Sequence, residues 1–493
     1  MRLTGRVHLL GAGGAGVSAA ALLLRARGAQ VSCCDRAESE HTLMLGERGF
    51  EVEVSAAPAR LPDGVELLVR SAAVPESDPC VVEARARGVP VLKYSELLGR
   101  LAPASRTLAV AGTHGKTSTS WMLYHALSGL LAVRRHERGR IPPASAPAPG
   151  ALPQPGAVVG GIDAGLRVNA VEPGPGGWFA VEACEYDRSF LQLAPQGAAV
   201  TNVEADHLDY YGSLEAIEDA FARFADRLHP DGLAALGAEV PRRVEDAARC
   251  PVWRLGRELR VQILEERAGR FAFRLCGPDI NVERCALPVP GRFQVDNAAL
   301  ALALAVGLAA REWGLDPSEA AACAARGLEA YPGCRRRFES WGAAGEIEVV
   351  HDYAHHPTEV QVTLEAARRA LPGRPLHVLF QPHQYSRTAR FLSEFARSLR
   401  AADCVVVADV YGARAHIDGA HSAGAPELAG QLRALGVEAL SGGPLLESVE
   451  RFARGLPARC AALVLGAGDI GGIRHELFDR LALSGTVPGG TRV

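Results

Sequence analysis

Lysine is nearly absent from this 493-residue chain. Lys93 and Lys116 are the only two among 53 Lys and Arg residues, so the other 51 are arginines. In a chain that places Arg almost everywhere Lys would serve, the lysine at position 116 calls for a physical reason. A basic surplus is also missing. The net charge of -3 provides no electrostatic footprint for a nucleic-acid partner. The eleven cysteines are scattered and form no CxxC pair, which fits reduced thiols and argues against a disulfide framework or a zinc site. Long apolar runs are scarce. The stretch at 7–24 follows Arg2 and Arg6 and superficially resembles a signal peptide. It contains Gly11, Gly13, Gly14 and Gly16 within six residues, and no convincing cleavage site follows. Nothing else approaches a membrane span, so a cytoplasmic protein with no membrane partner is expected.

The stretch TLAVAGTHGKTSTSWMLYHAL at 107–127 surrounds Lys116. LAVA reads as a short buried strand and Gly112, Thr113, His114 and Gly115 as a tight loop. Residues 117–127 read as a helix with Thr117, Ser118 and Thr119 in its first turn. Strand, glycine loop and helix N-terminus together aim backbone N–H groups and the positive end of a helix dipole at an anion. An ammonium is compact on a thin stem, whereas a guanidinium is wide and suits planar acceptors. A glycine-walled loop around a phosphate admits the first and not the second, which accounts for the lysine at 116. Thr117 can offer its hydroxyl to magnesium. The phosphate-loop pattern GxxxxGK[ST] is incomplete, because Val110 stands where its first glycine belongs.

At this length, with 48% hydrophobic and 22% charged residues, the chain is a soluble globular protein with too many residues for one core. Strand and helix signals alternate in three blocks, which predicts an α/β protein with a mainly parallel sheet in each. The blocks span 1–103, 104–332 and 333–493. In the third, strands are expected at EIEVVHDY, LHVLFQP, DCVVVADV and AALVLGAG. Residues 129–156 are rich in Arg and then in Pro, Ala and Gly, and read as a flexible insertion.

Three further constellations carry chemistry. The first is the glycine loop at 11–16, between a strand at 6–10 and a helix at 15–27, with Asp35 ending the next strand. It suits a pyrophosphate-containing ligand and does not choose between a nicotinamide dinucleotide and a UDP-sugar. The second is WFAVEACEYDRSFL with AAVTNVEADHLDYYG. Each is an apolar strand ending in acids, which places Glu182, Glu185, Asp187, Glu204, Asp206, His207 and Asp209 at the sheet edge near Lys116. Carboxylates there meet the need of magnesium for oxygen ligands, although a solvated acidic rim would read the same way. The third is VVHDYAHHPTEV with LFQPHQYSRT. Arg387 can hold a carboxylate in bidentate fashion. His355 and His356 are neighbours on an extended chain and point to opposite sides, which disfavours a metal pair.

Taken in order, AGTHGKTSTS, EACEYDRSFL, TNVEADHLDYYG, HDYAHHPTEV, FQPHQYSRT and LGAGDIGG resemble the Mur ligases, and the resemblance covers nearly the whole chain. It implies a Rossmann-like N-terminal domain, a central P-loop ATPase domain and a Rossmann-like C-terminal domain that closes over amino acid and ATP. The first glycine loop, Gly11, Gly13, Gly14 and Gly16, would then hold the diphosphate of UDP-N-acetylmuramate together with Asp35 and Ser71. The family's ATP loop is a shortened Gly-Thr-x-Gly-Lys-Thr, so Val110 is no defect. The resemblance implies that residues 112–118 bind ATP and that Asn297 binds adenine. It makes Thr117, Glu182 and His207 ligands of magnesium, or of manganese in its place. Tyr353, His355, His383 and Arg387 match the amino-acid region, with His207 or His383 as the base that frees the attacking amine. The wording points to the branch that joins L-alanine to UDP-N-acetylmuramate through an acyl phosphate. Departures are Phe293-Gln294 in place of His-Asn, Gln384 in place of Arg and Ala415 in place of Glu.

Lys116→Arg is expected to nearly abolish ATP-dependent turnover while the melting temperature holds. A lost transition-state contact of this kind costs about 10²–10³ in rate, and steady-state kinetics on the folded variant check it.

Overall fold

The computed structural model describes residues 4–57, 60–137, 153–412 and 424–483. The chain forms two compact units. The first comprises 1–264, 272–288 and 294–334, and the second 265–271, 289–293 and 335–493.

The first unit carries two parallel sheets. One has five strands in the order Glu51–Val54, Gln30–Asp35, Arg6–Leu10, Leu67–Arg70 and Val91–Lys93, all parallel. The strand Leu67–Arg70 is buried throughout, as expected where helices cover both faces of a parallel sheet. The order reverses beside the first strand, and that switch point opens a crevice at the strand C-termini. The strand Arg6–Leu10 and the helix Ala15–Ala26 fall where the sequence places them.

The other sheet has seven strands, in the order Val252–Arg254, Leu233–Leu236, Gly197–Val200, Thr107–Ala111, Phe179–Glu182, Gly156–Val158 and Ala170–Val171. Its pairings are parallel except at the last strand. TLAVA, GAAV and LAAL are buried at every position. Small side chains on these strands let the covering helices approach closely.

One expectation needs correction. The segment 129–156 is not a loop over its full length. The helix that starts at Lys116 runs on to Glu137, and a strand begins at Gly156. The helix continues because Gly129 lies against the helix Pro317–Glu329. A Cβ on Gly129 would sit 2.3 Å from the Cys323 carbonyl oxygen, and one on Gly327 would sit 2.2 Å from that of His125. Backbone-to-backbone packing overrides the local preference of a glycine, and Leu130 is fully buried beside it. The rest of the expected insertion, 138–152, lies outside the described residues.

The alternating reading also overlooked an antiparallel pair, Arg270–Gly277 with Ile280–Ala286. The run at 293–310 is long and apolar enough to cross a membrane by composition, and 89% of it is buried in the fold.

The second unit holds a six-stranded sheet in the order Glu339–Ala344, Glu346–Asp352, Arg459–Leu465, Leu376–Phe380, Cys404–Ala408 and Glu438–Gly443. Only the first strand is antiparallel to its neighbour. The four inner strands are those read from the sequence. The two edge strands, ESWGAA and EALSGG, carry glycines and mixed polarity and gave no strand signal.

Gly129→Ala is expected to destabilise the first unit by about 1–3 kcal/mol, because the added methyl meets backbone that cannot rotate away. Thermal unfolding followed by circular dichroism checks this.

Candidate functional site

Two glycine loops lie in the first unit. In the first, Gly11 has φ 90°, and its N–H and that of Ala12 both donate to the Cys34 carbonyl at 3.0 Å. Asp35 accepts the Gly13 N–H at 2.7 Å and the Ala37 N–H at 3.2 Å. It therefore locks the loop from the neighbouring strand, a role the sequence reading did not give it. Side chains at Gly11, Gly13 and Gly16 would collide with Ser71, Asp35 and Tyr94 respectively, each within 2.8 Å. The Ser71 hydroxyl accepts the Ala73 N–H at 3.3 Å. The Gly14 N–H donates back to the Gly11 carbonyl.

The second loop is built around Lys116. Its ammonium donates to the Gly112 carbonyl at 2.6 Å and the Thr113 carbonyl at 3.0 Å, and pairs with the Glu185 carboxylate at 2.9 Å. Burial alone would lower the lysine pKa. The Glu185 charge, helped by Glu182, outweighs it and raises the pKa above the ordinary value. Gly112, at φ 139°, and Gly115, at φ 81°, make the turn. A Cβ at Gly112 would lie 1.9 Å from the Thr201 hydroxyl, and one at Gly115 would lie 2.8 Å from Asn297 Oδ1.

Residues just past the strand Gly197–Val200 hold this loop in shape. The Thr113 N–H donates to the Asn202 carbonyl and the His114 N–H to Asn202 Oδ1. Thr201 donates to the His114 carbonyl at 2.5 Å. Neither Thr201 nor Asn202 was singled out in the sequence, although TN follows the strand directly and precedes the acids. Ser118 is buried in the first helical turn.

Thr117 and Glu182 are brought together as expected. The hydroxyl donates to Glu182 Oε1 at 3.1 Å, and Glu182 Oε2 accepts the Gly160 N–H at 2.6 Å. His207 has φ 51° and lies 3.9 Å from Glu185 and from Asp206. Glu204 lies 3.7 Å from His114. The Tyr211 hydroxyl donates to the Glu185 carbonyl at 2.5 Å. Asp187 does not join the Lys116 cluster; its carboxylate meets Lys93 at 2.9 Å. The side chain of Asp209 lies outside the described residues. The Thr117 hydroxyl and the Glu182 carboxylate are hard oxygen donors that suit a magnesium ion keeping several waters, whereas His207, at the start of the helix Leu208–Tyr211, has Glu185 and Asp206 as its acidic neighbours.

Asn297 donates to Gln294 Oε1 at 3.2 Å, and both side chains are buried. The departure at Gln294 is thus a partner for Asn297, set against the turn at Gly115.

The second unit gathers the third constellation. The Tyr353 ring lies beneath the Arg336 guanidinium at 4.5 Å and the Arg337 guanidinium at 5.1 Å. His355 packs edge-on to Tyr353 and to His383, and pairs with Glu359 at 3.0 Å. His383 stacks on Tyr411. Arg387 is buried at the start of the helix Tyr385–Arg390. His356 instead accepts the Thr358 N–H at 3.4 Å as an N-cap and packs against Phe391, so the two adjacent histidines serve different neighbours. Burial pushes the Asp352 carboxyl up to about 6, against the pull of Arg337. Arg336 and Arg337 were missed, although RRR at 335–337 is a visible cluster. Gln384 has φ 68° and its N–H donates to the Tyr411 carbonyl. Ala415 lies outside the described residues.

Three family models match the chain. The Mur ligase family catalytic domain matches residues 6–106, the Mur ligase middle domain 174–305 and the Mur ligase glutamate ligase domain 336–466. Among curated proteins, the UDP-N-acetylmuramate--L-alanine ligase of Kineococcus radiotolerans is 40% identical, over 97% of this chain and 96% of its own length. The protein of the same name from Rubrobacter xylanophilus is 37% identical, over 97% and 100%. Among solved structures, the UDP-N-acetylmuramate-alanine ligase of Thermotoga maritima shares the fold with a TM-score of 0.75. It is 24% identical, and the match covers 97% of this chain and 99% of that one. A murein peptide ligase from Psychrobacter arcticus gives 0.67 at 21% identity, over 97% and 98%.

Gly112→Ala is expected to weaken ADP binding about ten- to hundredfold. The positive φ costs a side chain about 1–3 kcal/mol, before its collision with Thr201 is counted. Titration calorimetry reads the change.

Proposed function

The chain belongs to the Mur ligase family, and from that premise we propose that it joins L-alanine to the lactyl carboxylate of UDP-N-acetylmuramate, with ATP converted to ADP and phosphate. The observation that carries this reading is identity of 37–40%, over nearly the full length of both chains, to proteins named for that reaction. We assign UDP-sugar binding to 1–103, ATP binding to 104–332 and the amino-acid region to 333–493, in the cytoplasm.

A carboxylate is a poor electrophile with a poor leaving group. Transfer of the γ-phosphoryl group makes an acyl phosphate, the alanine amine attacks its carbonyl carbon, and phosphate departs. The protein supplies positioning and charge stabilisation. Lys116 sits where a β- or γ-phosphate would take over part of its present partnership with Glu185. Thr117, Glu182 and His207 would hold magnesium, or manganese, which neutralises phosphate oxygens when bound. Backbone N–H groups at the start of the helix Lys116–Glu137 face the same anion. Asn297, set against Gly115, is assigned to the nucleotide.

The first glycine loop offers close backbone approach to a diphosphate; Asp35 fixes its shape and Ser71 stands against Gly11. In the second unit, Arg387 is assigned to the amino-acid carboxylate, and Tyr353 and His355 line the same cluster. The attacking amine must be neutral. His207 and His383 are the two candidate bases, and His383 lies beside His355 and Tyr411.

Phosphate release should require both UDP-N-acetylmuramate and L-alanine. Release with a tripeptide in place of alanine would assign the protein to peptide recycling, and release with neither would remove the ligase reading. Gly13→Val should raise the KM for the UDP-sugar and leave the KM for ATP within about threefold, since the two loops are separate sites. The opposite pattern would exchange their roles.

A further inference from the structure

Both ammonium groups of the chain end on one short acidic turn. Lys116 reaches Glu185 from the ATP loop. Lys93 reaches Asp187 from the end of the strand Val91–Lys93, at 2.9 Å. With 51 arginines elsewhere, the only two lysines meet carboxylates two residues apart.

The turn between them is strained. Asp187 (φ 54°, ψ 22°) and Arg188 (φ 51°, ψ 29°) are consecutive left-handed residues, and neither is glycine. Such backbone persists only where its surroundings hold it. The Tyr211 hydroxyl and the Arg188 N–H both donate to the Glu185 carbonyl, at 2.5 and 2.9 Å. These bonds fix the Glu185 end, and Lys93 grips the Asp187 side chain itself.

The segment that carries Lys93 is firmly seated. Its N–H donates to Glu96 Oε2 at 2.7 Å. The next residue, Tyr94, lies so close over Gly16 that a Cβ there would be 2.5 Å from the ring. Further along the helix Tyr94–Leu101, a Cβ on Gly99 would lie 2.7 Å from the Gln192 carbonyl oxygen. The strand end is therefore a fixed point from which an ammonium can hold the turn.

We propose that Lys93 is a positioning residue for the ligase reaction. Through Asp187 it keeps the acidic turn in its left-handed geometry, with Glu185 on Lys116, and so preorganises the ammonium that receives the nucleotide phosphates. The role rests on the functional reading given above. The pair is partly exposed, at 39% and 23% of the side chains, and a pair of that kind contributes little to stability. Its loss should therefore appear in nucleotide constants and not in the melting temperature.

The test compares Lys93→Met, Lys93→Arg, Asp187→Asn and the double variant Lys93→Met/Asp187→Asn with the parent protein. Asparagine tolerates the left-handed conformation, so Asp187→Asn removes charge and leaves the backbone preference intact. In Lys93→Met, the KM for ATP and the Kd for ADP should rise about fivefold, the most that a partly exposed pair worth about 1 kcal/mol can transmit. The KM for the UDP-sugar should stay within about threefold, and the melting temperature within about 2 °C. Lys93→Arg should recover most of the loss, and the double variant should be no worse than either single one. Unchanged nucleotide constants in Lys93→Met would overturn the proposal. So would additive losses in the double variant, or a loss of activity that merely follows a fall in melting temperature. If the parent released no phosphate with all three substrates, the ligase reading would fall, and ADP titration of the same variants would still decide the role of Lys93.

Discussion

A buried ammonium governs the first unit. Lys116 and Glu185 retain 13% and 3% of their side-chain exposure, so neither charge is relieved by water. Removing one partner of such a pair costs about 3–5 kcal/mol, because the other is left buried and unpaired. The loop must therefore present its carbonyls inward at Gly112 and Thr113, and the strand Phe179–Glu182 must deliver its acids to that point. One ammonium is thus satisfied by two loop carbonyls and one carboxylate, which ties the loop, the helix start and the segment after the strand Phe179–Glu182 together.

The two glycine loops solve one problem in two ways. Each turns the chain sharply between a strand and a helix, and each is held by a side chain from a neighbouring strand end. Asp35 does this for Gly13, and Asn202 does it for His114. The first holder is anionic, and the second is neutral and leaves the charge beside its loop to Lys116 and Glu185.

Much of this was legible because it is local. Strand, glycine and helix signals around 11–16 and 112–116 lie within a few residues of one another, and the fold reproduces them. The acids of EACEYD were legible as a group, since strand C-termini gather at one edge of a parallel sheet. Their individual partners were not. Asp187 turns away to Lys93 because two left-handed residues reverse the chain, and no composition rule anticipates that at Asp-Arg. The continuation of the Lys116 helix to Glu137 was hidden for a similar reason. Gly129 weakens a helix locally, and only its contact with the helix Pro317–Glu329 shows why a glycine is needed there.

The departures from the family pattern are best understood through their neighbours. Gln294 is buried and accepts a hydrogen bond from Asn297, so the two side chains satisfy each other beside Gly115. Gln384 removes a cation from the second unit. That unit nonetheless presents Arg336 and Arg337 on the Tyr353 ring, with Arg387 buried at the start of the helix Tyr385–Arg390. The backbone at Gln384 stands at φ 68°, with its N–H donating to the Tyr411 carbonyl and its own carbonyl accepting the Thr388 hydroxyl at 2.7 Å. Positive charge around the Tyr353 ring is thus supplied by guanidiniums, which are planar forks, while the glycine loop at 112–115 is followed by one of the two lysines, a compact ammonium held by two loop carbonyls and Glu185.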